Sequence, residues 1–267
     1  IFNYHGLFIN NVYNSTFQKI IYELSHLLIT KLNAVSLVIV PSVSSKNLLL
    51  SETNHFKDIR TYYNSYLPVS SSYQNQYISD EINLLKNKYF VIGIVARIEN
   101  QKRIDKALEI LVRLLEQKQS VFFVFLGDGP LEDEMKSLAV KLEIKRDCKF
   151  YGFVENASNY MKYFDLMLLT SDWEGFPIAI WEAMSNGIPL LSSDVGGIKE
   201  IIENENCGIV YNKNDLSSAT KKILELIENQ ERLKNLGLNG KVAIKTKYSI
   251  GNFTKSIEKF YTELYES

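Results

Sequence analysis

Two glutamates lie eight residues apart in the stretch "SDWEGFPIAIWEAMSNGIP", which covers residues 171–189. Glu174 lies just before a Gly-Phe-Pro turn, and Glu182 lies about one and a half turns into the apolar segment that follows it. Carboxylates accept hydrogen bonds well from the hydroxyl groups of sugars and ribose. The pair therefore predicts contacts with a hydroxylated ligand on both sides of the turn.

The turn itself predicts an anion site. We expect Pro177 at the first helical position, where proline is favoured because its missing N–H has no partner in a helix anyway. Free backbone N–H groups at the positive end of a helix bind phosphate. The residues predicted to surround such a phosphate are Gly175, Phe176, Pro177 and Ile178.

Two cations follow the apolar strand "YFVIGIVA", namely Arg97 and Lys102. Arginine grips a phosphate with two parallel hydrogen bonds, and lysine adds a point charge. Two cations beside a helix N-terminus suit a diphosphate. The chain has no Asp-x-Asp motif, and the acids at 132–134 are interpreted as first-turn acids of a helix, so no metal or other cofactor is predicted.

From residue 77 onward, short apolar strands alternate with amphipathic helices. Strands that are apolar along their whole length predict a parallel sheet covered by helices on both faces. The predicted fold class is therefore α/β, a doubly wound, Rossmann-like parallel sheet, joined to a partial second Rossmann-like domain. Ligands of such sheets bind outside the carboxyl ends of the strands, where the loops "RIENQKR", "GDGP", "VENAS", "SDWEGFP" and "DVGG" are expected.

Composition excludes several function classes. The chain has 267 residues with 30 basic and 31 acidic side chains, a net charge of −1, so no basic field predicts nucleic-acid binding. No apolar run approaches the roughly 20 residues of a membrane span. Cys148 and Cys207 have no metal-ligand spacing and are predicted to be buried free thiols in a reducing compartment.

The segments "GIVARIENQKRID", "LGDGPLEDEMKSLA", "KFYGFVEN", "LLTSDWEGFPIAIWEAMSNGIPLLSSDVGGIKEII" and "CGIVY" together resemble glycosyltransferase family 4, the retaining enzymes of the GT-B fold. The Glu-x7-Glu motif at Glu174 and Glu182 is the hallmark of that family. The resemblance departs at Arg103, where the family usually has glycine, and at Lys199, where it often has proline.

The resemblance implies a role for each candidate residue. Glu174, with the amides that follow it, would hold the donor sugar, and Glu182 would bind the ribose hydroxyls. Arg97 and Lys102 would stabilise the leaving diphosphate, and His5, in "YHGLF", would reach the donor sugar. The turn expected to meet the base is Gly152, Phe153 and Val154. For Gly127 and Asp128, ligand contact and a purely structural turn remain equally open.

The resemblance also implies a domain plan. Residues 1–76 would be a partial N-terminal, acceptor-side domain with a linker, residues 77–248 the nucleotide-sugar-binding domain, and residues 249–267 a helix packing back toward the first domain. Within the first part we expect a helix over 14–34, a strand at 35–41, a second strand at 61–69 and a linker at 70–76. Because a GT-B enzyme needs two complete domains, we expect the chain to be a fragment or a truncated gene product.

The predicted function is transfer of a sugar, with retention, from a nucleoside-diphosphate sugar to a glycan or lipid-linked acceptor, as in polysaccharide biosynthesis. A UDP-sugar is favoured over a GDP- or ADP-sugar. The expected location is the cytoplasm, with peripheral association at the inner face of the membrane left open. The alternative is a non-catalytic nucleotide-sugar-binding or partner subunit derived from such an enzyme. A GT-B epimerase is disfavoured by the Glu-x7-Glu spacing, and a dehydrogenase by the lack of Gly-x-Gly-x-x-Gly after the first strand.

Overall fold

The structure, a computed structural model, describes residues 2–3, 38–52, 58–63, 65–66, 74–175 and 177–266. The chain divides into two compact units, residues 1–64 and residues 65–267. The predicted helix over 14–34 lies outside the described residues, as do the side chains of His5 and Phe176. The predicted domain boundaries at 76 and 248 stay predictions.

The described part of the first unit is a small parallel sheet with one helix. Its elements are β1 (Phe2–Asn3), β2 (Val38–Val40), α1 (Val43–Glu52) and β3 (Ile59–Thr61). The strand order is β1-β2-β3, and Val38, Val40, Leu49 and Ile59 form its buried core. The predicted strand over 61–69 is wrong, because pairing with β2 ends at Thr61 and the described residues after it, 62–63 and 65–66, form no strand.

The second unit alternates strands and helices, as the apolar pattern predicted. Its elements are α2 (Gln76–Lys86), β4 (Phe90–Val95), α3 (Ile104–Glu116), β5 (Val121–Leu126), α4 (Glu132–Lys141), β6 (Cys148–Phe150), α5 (Ser158–Met161), β7 (Leu166–Leu169), α6 (Ile178–Asn186), β8 (Leu190–Ser193), α7 (Ile198–Glu205), β9 (Gly208–Tyr211), α8 (Leu216–Glu228), α9 (Gln230–Thr246) and α10 (Ile250–Glu266). A short 3₁₀ turn, Asn100–Lys102, precedes α3.

All strand pairs in this unit are parallel, and the order across the sheet is β6-β5-β4-β7-β8-β9. The chain moves outward from β4 to β6, then returns to the centre and moves outward in the other direction from β7 to β9. This reversal makes the gap between β4 and β7 the topological switch point, the place where ligands of doubly wound sheets bind. The predicted doubly wound α/β fold is therefore confirmed.

Every residue of β5, β7 and β8 is buried, because helices cover the sheet on both faces. α3 packs against α4 and α8, and α6 packs against α5 and α9. Cys148 and Cys207 are both buried free thiols, as predicted. Burial raises the pKa of each thiol to about 12, so both are unreactive at neutral pH.

Candidate functional site

The candidate site lies at the switch point, where the loop after β4 (residues 96–103) meets the loop after β7 (residues 170–177). The hydroxyl of Thr170 donates to the backbone carbonyls of Lys102 (2.8 Å) and Arg103 (2.9 Å). The backbone N–H of Asp172 donates to the carbonyl of Gln101 at 2.9 Å. The two loops that carry the predicted acids and cations are therefore joined directly.

Glu174 is almost fully buried, with 4% of its surface exposed. Its Oε1 accepts from Lys102 Nζ and from the Ser171 hydroxyl, each at 2.6 Å. The Gln101 side-chain amide donates to the Trp173 carbonyl at 2.8 Å and reaches Glu174 Oε2 at 3.4 Å. Buried charges persist when they are paired and hydrogen-bonded, so Glu174 and Lys102 form one positioned unit rather than two independent side chains.

A second ionic cluster lies beside this pair, and its centre is Asp172. Its carboxylate accepts from Arg103 Nη1 and from Lys106 Nζ, each at 2.8 Å. Its carbonyl accepts from Lys213 Nζ at 2.9 Å. Burial would raise the pKa of Asp172, but the hydrogen bonds from Lys106 and Arg103 together outweigh burial and lower it. Sequence reasoning missed this cluster, although two cations one helical turn apart, Arg103 and Lys106, could have pointed to a shared acid.

Arg97 also lies at the carboxyl end of β4, but its side chain is 68% exposed. Its guanidinium contacts Glu99 at 3.8 Å, a loose surface pair. Arg97 and Lys102 therefore lie on the same loop, as predicted. Of the two, only Lys102 pairs with the buried Glu174.

The Gly-Phe-Pro turn leads directly into α6. Pro177 occupies the N-cap position with φ −71° and ψ 128°, and the helix begins at Ile178, so the prediction of Pro177 as the first helical residue is wrong by one position. The cause is the ψ of Pro177, which is extended rather than helical, so that Pro177 lies just before the helix. No acidic side chain occupies the first turn, and Ile178 is exposed. The positive end of α6 is therefore not neutralised by an acid of its own first turn.

Glu182 lies one turn into α6 and is half-buried. Burial raises the pKa of its carboxyl group. No hydrogen bond or ion pair joins this carboxylate to another residue in the part of the chain that the structure describes. A half-buried, uncompensated carboxylate is suited to accept from a ligand that carries hydroxyl donors.

Gly196, in the loop after β8, approaches the same site through its backbone. A Cβ added to it would lie 2.2 Å from the Glu174 carbonyl oxygen, and its φ is +54°. Both facts require glycine at this position. The predicted strand-to-helix turn at 194–197 thus fixes the backbone of Glu174.

The loops after β5 and β6 meet through glycine as well. Gly127 N–H donates to the Gly152 carbonyl at 2.8 Å, and a Cβ on Gly127 would lie 2.1 Å from the Ala96 carbonyl oxygen. Asp128 accepts at its carbonyl from the Ile98 N–H (2.7 Å), which ties it to the loop after β4. These contacts are structural for Gly127, and they leave the Asp128 side chain exposed.

The two residues after Gly152 differ in exposure. Phe153 is 75% exposed, whereas Val154 is buried, with 9% of its surface accessible. Only Phe153 offers a side-chain surface to a ligand at this turn. Among the described residues, no three His, Cys, Asp or Glu side chains come together as metal ligands. No described helix is long and apolar enough to cross a membrane.

Comparison with known proteins gives a family for this arrangement. The sequence model of the family "Glycosyl transferases group 1" matches residues 76–243, more than half of the chain. The chain is 25% identical over 226 residues to N-acetyl-alpha-D-glucosaminyl L-malate synthase of Bacillus anthracis, covering 81% of this chain and 58% of that protein. It is 28% identical over 156 residues to an Escherichia coli galactosyltransferase named for UDP-Gal and a diphosphoundecaprenol-linked GlcNAc, covering 57% of this chain and 40% of that one.

The fold has solved counterparts. The structure of Anabaena Alr3699/HepE in complex with UDP and glucose superposes with a TM-score of 0.82 at 20% identity, covering 98% of this chain and 71% of that one. The chain spans about half the length of the two curated relatives. The family match covers β4 to β9 and every loop of the candidate site described above. The chain therefore belongs to the group 1 glycosyl transferases, with a Rossmann-like domain of the GT-B type.

Proposed function

We propose that the chain carries the donor site of a retaining glycosyltransferase and that the donor is a UDP-sugar. The observation that carries this proposal is the combination, on one loop and helix, of the buried Glu174–Lys102 pair and the half-buried Glu182 carboxylate. An anion site, a cation and two hydroxyl acceptors at a switch point match a nucleoside-diphosphate sugar.

Each residue has a proposed role. Lys102 and Arg97 neutralise the diphosphate, and the N–H groups at the start of α6 bind its oxygens. Glu182 accepts from the ribose hydroxyls, and Glu174 accepts from the sugar. The exposed ring of Phe153 stacks on the base, with Gly152 and Val154 shaping the turn. His5 is proposed to contact the donor sugar, and no metal or cofactor is needed in this scheme.

The proposed reaction breaks the bond between the anomeric carbon and the β-phosphate oxygen and forms a bond from that carbon to an acceptor oxygen on the same face. The proton of the acceptor hydroxyl passes to the departing phosphate. The protein contributes positioning and charge stabilisation, because none of the described site residues is a free nucleophile. Retention removes the need for a base on the opposite face.

The acceptor is proposed to be a glycan or a lipid-linked sugar. The transfer to it would take place in the cytoplasm or at the inner face of the membrane. Two observations support the donor and the acceptor class. UDP is bound in the Anabaena structure, and the Escherichia coli relative is named for UDP-Gal and a lipid-diphosphate acceptor. The proposal assigns no membrane-binding role to any described segment.

Calorimetric titration of the chain with UDP, GDP and ADP tests the donor site. We expect UDP to bind, and the Glu182→Ala variant to bind it at least about tenfold more weakly, because the lost hydrogen bonds go to a charged acceptor. The matched control is Glu203→Ala on α7, whose side chain is 58% exposed. If the folded chain binds none of the three nucleotides, or if both variants weaken binding equally, the donor-site proposal is wrong.

A further inference from the structure

The ionic cluster around Asp172 has no role in the donor contacts proposed above. We propose that Asp172 is a positioning residue: through Arg103 and Lys106 it sets the Lys102–Glu174 pair against the donor diphosphate. This inference rests on the proposed function, because it concerns the phosphate end of the same site. It assigns a task to three charged side chains that do not themselves touch the donor.

The geometry joins three strand ends through one residue. Asp172, after β7, binds Arg103 and Lys106 at the start of α3 and accepts from Lys213 after β9. Its N–H also holds the carbonyl of Gln101 at 2.9 Å. These four contacts link the three loops through a single residue. The loops after β4 and β7 are the ones that carry the proposed diphosphate contacts.

Members of this cluster are close neighbours in the chain of Lys102 and Glu174. Arg103 directly follows Lys102, and Asp172 lies two residues before Glu174. The Arg103–Asp172 pair, with Nη1 and Oδ2 2.8 Å apart, therefore braces the Lys102–Glu174 pair from the backbone side. A change in the Arg103–Asp172 ion pair therefore moves Lys102 and Glu174 together.

Two features of this cluster are energetically unfavourable. Arg103 adopts the left-handed conformation, with φ 50° and ψ 51°, which side chains other than glycine rarely take. Lys106 is 9% exposed, and a buried ammonium group is unfavourable without an acid. Arg103 is held by Asp105, with Nη2 and Oδ2 2.7 Å apart, as well as by Asp172. The Asp172 carboxylate offsets the burial of Lys106, and together with Asp105 it holds the Arg103 guanidinium in place.

None of the contacts described for Asp172 involves Glu182 or the turn at 152–154. The cluster should therefore affect binding of the phosphates and leave binding of the nucleoside unchanged. This separation distinguishes a positioning role from a general structural one, because loss of folded protein would weaken UDP and uridine equally.

The test compares the dissociation constants of UDP and uridine for the wild-type chain and for Asp172→Asn. The amide keeps the shape of the side chain and removes its charge. We expect UDP binding to weaken by about tenfold, equivalent to about 1.4 kcal/mol, with uridine binding unchanged. The matched control is Glu109→Gln, which breaks the exposed Arg113–Glu109 pair on the outer side of α3. That variant should bind both ligands as the wild type does.

A second variant, Arg103→Gly, keeps the test open if Asp172→Asn does not fold, because glycine adopts φ 50° without strain. We expect a weaker effect in the same direction, about threefold on UDP, since Lys106 still holds Asp172. If the wild type binds UDP and both variants keep its ratio of UDP to uridine affinity, the positioning role is wrong and the donor site stands. If the wild type binds neither ligand, the proposed function itself fails, and this inference fails with it.

Discussion

Replacing Lys102 by methionine should leave the Glu174 carboxylate buried without its cation. The side chains of the two residues are 17% and 5% exposed, so little water can replace the lost ammonium group. Methionine keeps most of the aliphatic stem of lysine, which limits the change to the charge. The variant therefore isolates the ion pair at the centre of the candidate site.

The expected loss follows from the burial of the pair. Removing one partner of a buried ion pair typically costs about 3–5 kcal/mol. Glu174 keeps its hydrogen bond from Ser171 at 2.6 Å, so we expect the lower end, about 3 kcal/mol. For a unit of about 200 residues, 1 kcal/mol shifts Tm by about 2–4 °C. The predicted decrease in Tm is therefore about 6–12 °C.

Urea unfolding, followed by circular dichroism, measures the loss directly as a change in midpoint at constant slope. The matched control is Lys199→Met, which removes an exposed cation 3.9 Å from Glu203 and should change stability by less than about 1 kcal/mol. The double variant Lys102→Met/Glu174→Gln removes the uncompensated charge and should regain more than half of the loss. A loss no larger than that of the control, or a double variant less stable than Lys102→Met, would refute the reasoning.

Three further predictions follow from the same site. Because burial raises the pKa of Glu182, its ionised form opposes folding at neutral pH, and Glu182→Gln should raise Tm at pH 7.5 by an amount that shrinks as the pH falls toward about 4. Gly196→Ala should cost at least about 2 kcal/mol and weaken UDP binding, since the added Cβ lies 2.2 Å from the Glu174 carbonyl at a φ of +54°. Because the pKa of Asp172 is lowered in the folded state, its contribution to stability is present above about pH 4 and is lost as the pH falls through its folded pKa, so wild type and Asp172→Asn should converge in acid.

The first two of these predictions have controls in the same chain. Glu203→Gln, at a side chain that is 58% exposed, is the control for Glu182→Gln and should change Tm at pH 7.5 little. Gly251→Ala, where no atom lies within 4 Å of the new methyl group, should leave stability unchanged or raise it. A Gly196→Ala protein as stable as the wild type would contradict the close approach of the two loops. A wild-type advantage over Asp172→Asn that grows in acid would contradict the sign of the pKa shift.

Local pattern was sufficient for the second unit. Apolar runs such as "VFFVFL" (121–126) have no polar residue to face water, so they predict strands covered on both faces, and β5 is buried at every position. The residue types also predicted the helix after the Gly-Phe-Pro turn and its end at Gly187, which has φ 74°. In the first unit the same approach failed at 61–69, since a strand as short as Ile59–Thr61 depends on its partner more than on its own sequence.

The identity of the candidate site also came from the sequence, because the loops at strand ends can be recognised in order along the chain. Glu174 and Glu182 are identified by their spacing and by the turn between them, and Lys102 by its place after the strand "YFVIGIVA". Sequence could not say that Glu174 would be 4% exposed or that the Glu182 carboxylate would make no hydrogen bond or ion pair with another described residue. Burial and pairing depend on what lies opposite a side chain, which spacing does not encode.

Only the tertiary structure decided which loops meet. Lys102 and Glu174 are 72 residues apart, and Arg103 and Asp172 are 69 apart, yet each pair is in direct contact. They meet because β4 pairs with β7, although β5 and β6 lie between them in the chain. The amino-acid pattern determined that strands and helices alternate and that charged residues follow the strands. The order of the strands, set by packing of the whole sheet, placed those charges next to one another and so created the site.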